Sequence, residues 1–358
     1  MNLSPDIYSL IYYMVLVFVV LLIFIDANTE LFSKYKKSFK YFQYSFVLFC
    51  ILLVGFRPIG EYGFFDTGMY TGMFNYAKNN HEIERVKDIG FDYMMLFTSY
   101  FLNYRSFFIL CSFISFSILF YTSRIINYKN WFLFFLASCC SLYFFDYQVY
   151  TIRQGIGSAF VILAFVIDKK YIKYPLLVLS ILFHKSLLLP VGAYLICDFI
   201  YNRTLFYVFM WIISIPVSYF SGHWWEFFFA KFLGDDGRTI YLTSFSTDVN
   251  WLARSGFRID ILIFNLFFVL VGAYYIWVQK INNKIYTTIF NTYLICNILI
   301  VLIIRANNIH RFAYLAWFLI PVLLFYPLLN NKDIKYKLIS KVLVILCTFL
   351  IFYKIIKL

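Results

Sequence analysis

Apolar runs separated by short polar breaks recur along the chain at about 7–25, 41–56, 106–123, 131–149, 151–167, 174–184, 186–200, 205–221, 259–279, 286–304, 312–330 and 338–356. Crossing a hydrocarbon core about 30 Å thick takes roughly 20 apolar residues as a helix, so the pattern predicts an all-α polytopic membrane protein with about 12 transmembrane helices. One pair is short. The run from Pro175 to Ile200 is interrupted at Leu182-Phe183-His184-Lys185-Ser186-Leu187, and is too long for one span yet too short for two. A helix broken at membrane depth needs protein or a water-filled cavity around the break.

The two longest breaks, 57–105 and 222–258, hold nine of the fourteen glycines and read as shaped loops rather than plain connectors. Each carries a stretch, 91–103 and 223–233, that reads as an interfacial helix; the second sets Glu226 and Lys231 among aromatics. Nothing in the pattern divides residues 1–358 into separate domains, and a single integral membrane domain is expected. The short breaks at 26–40, 124–130, 168–173, 201–204, 280–285 and 331–341 are basic and rich in lysine. The positive-inside rule places them in the cytoplasm, which puts both termini and both long loops outside.

Composition narrows the classes. With 63% hydrophobic and 14% charged residues the chain is no ordinary soluble domain. The excess of Lys+Arg (31) over Asp+Glu (18) then reads as membrane anchoring rather than nucleic-acid binding. Seven cysteines lie in apolar runs without a CxxC spacing, indicating neither a disulfide framework nor a zinc site. The first apolar run lacks a basic leader and a small-residue cleavage site, and is read as a retained span.

The informative cations are those on the outer side: Arg57, Arg105, Arg153, Arg238, Arg254, Arg258, Arg305 and Arg311. A guanidinium grips phosphate oxygens through two parallel hydrogen bonds and stays charged, so this set suits a pyrophosphate. The alternative is that each snorkels to headgroup phosphates. Arg153 opens a run with small neighbours, Gly157, Ser158 and Ala159, where close helix packing would hold it inside the bundle, facing either substrate or a structural partner. His184, at the helix break, is a candidate general base or phosphate donor; the competing reading is a core histidine satisfied by a carbonyl. Asp66, between glycines and aromatics, suits sugar hydroxyls or else caps a helix beginning near Thr67. Asp146 and Asp260 are candidate ion-pair partners for the arginines. The break Arg305-Ala306-Asn307-Asn308-Ile309-His310-Arg311-Phe312-Ala313-Tyr314 is denser in polar groups than solvation requires.

Taken in order, Arg57…Asp66-Thr67-Gly68-Met69-Tyr70, Tyr150-Thr151-Ile152-Arg153-Gln154-Gly155, Phe183-His184-Lys185-Ser186 and Arg311-Phe312-Ala313-Tyr314 before Pro321 resemble the EpsG-type branch of the Wzy O-antigen (polysaccharide repeat-unit) polymerases. The resemblance runs from about residue 50 to 325, and its arginine-glutamine and histidine-lysine-serine elements are the most specific. It implies a GT-C-like membrane glycosyltransferase at the outer face of the inner (cytoplasmic) membrane. Such an enzyme polymerises undecaprenyl-pyrophosphate-linked oligosaccharide units for O-antigen or exopolysaccharide, moving the growing chain onto the non-reducing sugar of a new unit. In that frame His184, Asp66 and Arg153 are the expected catalytic residues. Arg57, Tyr70, Gln154, Lys185, Ser186, Arg258, Arg305, His310, Arg311 and Tyr314 would bind substrate, and a chain-length regulator is a candidate partner. No cofactor is expected. No metal is expected either, since the outer face offers only Glu82/Glu84, Asp235/Asp236 and scattered single carboxylates where a site wants two or three that converge. The rival readings are an O-antigen ligase or another outer-face transferase, and a lipid-linked oligosaccharide flippase, which would present polar groups to both faces.

Overall fold

The computed structural model describes residues 4–31, 35–60, 65–84, 86–233, 239–244, 255–331 and 333–357. Arg238, Arg254, Asp235 and Asp236 lie outside them. Every regular element among the described residues is helical, and the chain divides into two compact units, 1–187 with 328–358 and 188–327.

The first unit holds α1 (Pro5–Thr29), α2 (Lys36–Gly55), α3 (Phe65–Asn80), α4 (Ile89–Ser99), α5 (Tyr104–Ile126), α6 (Trp131–Cys139), α7 (Phe144–Val149), α8 (Ile152–Val166) and α9 (Lys170–Phe183). In it α8 packs on α9 and α5, and α2 packs on α5. Small residues set the closest approaches. A Cβ on Gly157 would stand 3.1 Å from the Ser180 carbonyl oxygen of α9, and one on Gly90 of α4 would stand 3.0 Å from the Leu182 Cβ and 3.2 Å from its carbonyl. Two helices thereby close on the last turn of α9. A buried aromatic cluster of Tyr70, Phe74, Phe91, Phe107, Phe108 and Phe183 fills the space between α3, α4, α5 and α9.

The second unit holds α10 (Leu188–Leu195), α11 (Thr204–Leu233), α12 (Thr239–Thr243), α13 (Ile259–Ala273), α14 (Lys284–Leu302), α15 (His310–Trp317) and most of α16 (Ile320–Asn330). The last helix, α17 (Tyr336–Lys357), returns to the first unit and packs on α1. In the second unit α14 packs on α11, α10 and α15. Several polar side chains there pair with one another: Asn291 donates to Asn202 at 2.6 Å, Asn202 to Thr288 at 3.0 Å, and the Trp317 indole to Asn265 at 2.7 Å.

Eight helices, not twelve, are long and apolar enough to cross a membrane among the described residues. The other four expected spans are helical but short or broken, and they are consecutive. The run 131–149 splits between α6 and α7 around Tyr143, whose φ of 67° is left-handed. The run 151–167 yields the 15 residues of α8. The pair about His184 is divided as its sequence predicts: α9 ends at Phe183, His184 takes an extended conformation, and a 3-10 turn at Lys185–Leu187 leads into α10. Hydropathy counts apolar residues and registers neither a backbone that stops being helical, as at Tyr143 and His184, nor a helix that ends early, as α8 does at Val166. In the stretch 57–105 there are two helices, α3 and α4, and in 222–258 the helix from Thr204 continues past a kink at Ser221 (φ −129°, ψ 20°).

Candidate active site

The polar centre of the first unit is a carboxylate that the sequence did not single out. Asp88 occupies the N-cap position of α4, where an aspartate ordinarily accepts from its own helix, but its side chain makes no capping bond. Asp92, one turn on, folds back instead and accepts from the Lys87 and Asp88 amides at 2.7 and 2.9 Å. The Asp88 carboxylate is thus turned away from α4. One oxygen, Oδ2, meets Arg153 Nη1 at 2.8 Å and His184 Nδ1 at 3.4 Å; the other, Oδ1, accepts from the Lys185 amide at 3.0 Å. The Arg153 contact is an ion pair whose N–H is not aligned as a hydrogen bond. All three side chains are buried, Asp88 at 1%, His184 at 6% and Arg153 at 8% exposure.

Each element brings one member. Arg153 stands in the first turn of α8, its Nε donates to the Tyr70 hydroxyl of α3 at 3.2 Å, and its guanidinium lies over the Tyr70 and Phe91 rings at 5.4 and 6.0 Å. His184 terminates α9, its amide closing the last turn on the Ser180 carbonyl. Gly90 and Gly157 let α4 and α8 approach that turn. Burial alone would raise the Asp88 pKa, but the His184 contact, the Lys185 amide and the Arg153 charge outweigh it and hold the carboxyl at about 2. Asp88 is therefore an anion at any physiological pH, and a weak proton acceptor.

Other residues expected at the site are placed as follows. Asp66 lies within the first turn of α3, not at its cap, and is exposed one turn from Tyr70. Gln154 is buried next to Arg153, while Lys185 is exposed and Ser186 half-buried after the break. Arg57 is fully buried, stacked on Phe108 at 5.1 Å, and its Nη1 donates to the Gln148 and Val149 carbonyls that end α7.

The second unit holds the remaining candidates, and there each cation has its own partner. Arg258 is buried and grips Asp260 through Nε at 2.9 Å and Nη2 at 2.7 Å, the pairing its spacing suggested. Arg305 donates to the Tyr219 carbonyl at 2.6 Å between the rings of Tyr219 and Phe257. Arg311 donates to the Tyr241 hydroxyl at 2.9 Å. His310 packs edge-on to Tyr314 at 5.7 Å. Asp146, expected to serve an arginine, instead meets Lys354 of α17 at 3.3 Å. Among the described residues no group of three or more His, Cys, Asp or Glu side chains is arranged to hold a metal ion.

A family model described as the EpsG family matches residues 40–358, most of the chain and every member of the Asp88 cluster. No curated protein and no solved structure matches it.

Proposed function

The chain belongs to the EpsG family, and from that membership we propose that it is a multi-pass membrane polymerase of oligosaccharide repeat units carried on undecaprenyl pyrophosphate. The growing chain would move from its lipid carrier to the non-reducing sugar of a new unit, for O-antigen or exopolysaccharide, at the extracytoplasmic side of the cytoplasmic membrane. The proposal includes a GT-C-like arrangement of spans. The observation that carries it is the buried meeting of Arg153, Asp88 and His184 at the end of a helix too short to cross a bilayer.

This arrangement suits glycosyl transfer from a pyrophosphate. Arg153 is held at Nε by Tyr70 and faces Asp88 through Nη1, and its Nη2 would meet a phosphate oxygen as negative charge builds on the leaving group. The acceptor hydroxyl must lose its proton as its oxygen bonds the anomeric carbon, and an imidazole beside the arginine is placed to take it. Lysine-rich breaks on the opposite side of the alternation support the outward orientation. A transfer to another outer-face acceptor, or transport of the lipid-linked unit, would use the same lipid.

Deleting the coding sequence distinguishes these. A polymerase deletion leaves acceptors capped with a single repeat unit; a ligase or flippase deletion leaves them uncapped, and that second outcome would overturn the reading.

A further inference from the structure

Three helices bring charge to one point, and the carboxylate at that point has given up its ordinary local task. An aspartate at a helix N-cap ordinarily accepts from the amides of its own first turn. Asp88 does not do so, and Asp92 takes up the neighbouring amides instead. What Asp88 contacts lies far along the chain: Arg153, His184 and the Lys185 amide.

We propose that Asp88 and His184 form a positioning-and-base dyad in which the Asp88 carboxylate fixes the imidazole with its proton on Nδ1, so that Nε2 takes the proton of the acceptor hydroxyl. The hydrogen bond made by one ring nitrogen determines which nitrogen is basic. With Nδ1–H directed at Oδ2, proton transfer runs through Nε2. In the step itself the acceptor oxygen bonds the anomeric carbon and its proton passes to Nε2. The bond from that carbon to the pyrophosphate oxygen breaks, and the electron pair leaves with the pyrophosphate, whose new charge Arg153 faces. Asp88 then stabilises the imidazolium while remaining an anion, because its other partners keep it ionised. His184 is the catalytic residue in this scheme and Asp88 the positioning residue. Asp66, exposed on α3, is not the base.

Among the described residues, Asp88 at the start of α4 is in contact with the imidazole, Arg153 of α8 meets the same carboxylate and is hydrogen-bonded to Tyr70 of α3, Asp92 follows one turn after Asp88, and Lys185 is next to His184 in sequence. Asp88 is the anion in contact with the ring, and the Arg153 cation shares its Oδ2. Replacing Asp88 by Asn therefore leaves an unbalanced cation near His184. The imidazolium becomes harder to form, and the titration moves to lower pH.

The inference rests on the polymerase reading for its chemistry, and the test has one arm that does not. The full chain, labelled with ¹⁵N-histidine and held in lipid nanodiscs, contains four histidines, and His184→Gln identifies the signal of interest. The neutral imidazole of the unmodified protein is expected to carry its proton on Nδ1; a proton on Nε2 overturns the dyad whatever the protein does and whether or not any variant folds. In the second arm, native lipid-linked repeat units extracted from cells lacking this chain serve as substrate. Asp88→Asn is expected to reduce kcat about 100-fold or more and to move the acidic limb of kcat/KM down by about one pH unit. Asp88→Glu, which keeps the charge, is expected to leave that limb in place. An equal loss in both variants with an unmoved limb would assign Asp88 a structural role and overturn the proposal. If unmodified protein makes no polymer from these units, the polymerase reading fails, and the nitrogen assignment still judges the dyad.

Discussion

Arginines in the two units began with the same expected task and meet very different surroundings. In the second unit Arg258 and Arg311 meet an aspartate two residues away and a tyrosine hydroxyl, while Arg305 donates to a carbonyl and acts on Glu226, the partner of His223, only through its charge. In the first unit Arg153 shares one carboxylate oxygen with His184, and three chain segments far apart in sequence supply the three side chains. A cation with a private partner is explained by its own desolvation. A cation that shares its partner with a titratable ring is held in a relation to that ring, which is what bond-making chemistry needs and simple solvation does not.

The largest expected contrast is between two identical substitutions. Arg153→Lys keeps the charge and loses the fork, and should lower polymerisation about 100-fold at normal protein level. Arg311→Lys, at an exposed guanidinium, should stay within about threefold. Equal effects in a chain-length assay would erase the distinction between the units. Next is Gly90, which touches no substrate in this scheme. Gly90→Val would push α4 from Leu182 and draw Asp88 away from His184, and is expected to cost about tenfold in rate. Full activity in that variant would show that the spacing of α4 and α9 is not critical.

Acid stability sharpens the same comparison. The folded pKa of Asp88, about 2, lies below its ordinary value of 3.8, so its contribution is complete above about pH 4 and is lost as pH falls through 2. The difference corresponds to about 2 kcal/mol. Between pH 8 and 5 the wild type should gain up to about 1 kcal/mol over Asp88→Asn as His184 takes up its proton, and the share of the difference that belongs to Asp88 itself should vanish only below about pH 4. Last is Asp260→Asn, which leaves the buried Arg258 with a neutral partner. It should lower stability by about 1 kcal/mol, read as a drop in Tm, with little change in polymer length.

Much of this architecture was legible in local pattern. The division at His184 followed from a run of the wrong length, and the burial of Arg153 from the small residues after it. Asp88 was not legible, because His81-Glu82-Ile83-Glu84-Arg85-Val86-Lys87-Asp88 reads as a solvated charged loop. Its partner His184 is 96 residues away, and no spacing rule connects them. The one local hint was an aspartate directly before Ile89-Gly90, the start of a helix with a glycine where the chain must come close to a neighbour. The Lys354 partner of Asp146 was hidden in the same way, 208 residues distant. The break at Tyr143 carried neither glycine nor proline to announce it.

The brevity of α9 also sets a relation between the protein and its surroundings. At about 1.5 Å per residue the 14 residues of this helix extend roughly 21 Å, well short of a hydrocarbon slab of about 30 Å, and its exposed face, with Val178 and Leu182, is open to lipid, whereas α8 is buried in protein. Such hydrophobic mismatch is relieved when the bilayer thins locally, at fractions of a kcal/mol per ångström. The end of α9 is also where His184 sits, so lipid chain length becomes a physical variable of the Asp88–Arg153–His184 cluster. Reconstitution in shorter-chain lipids should favour the cluster's geometry and long-chain lipids should strain it, so that, under the proposed role of the cluster, polymer length is expected to respond to membrane composition without any ligand.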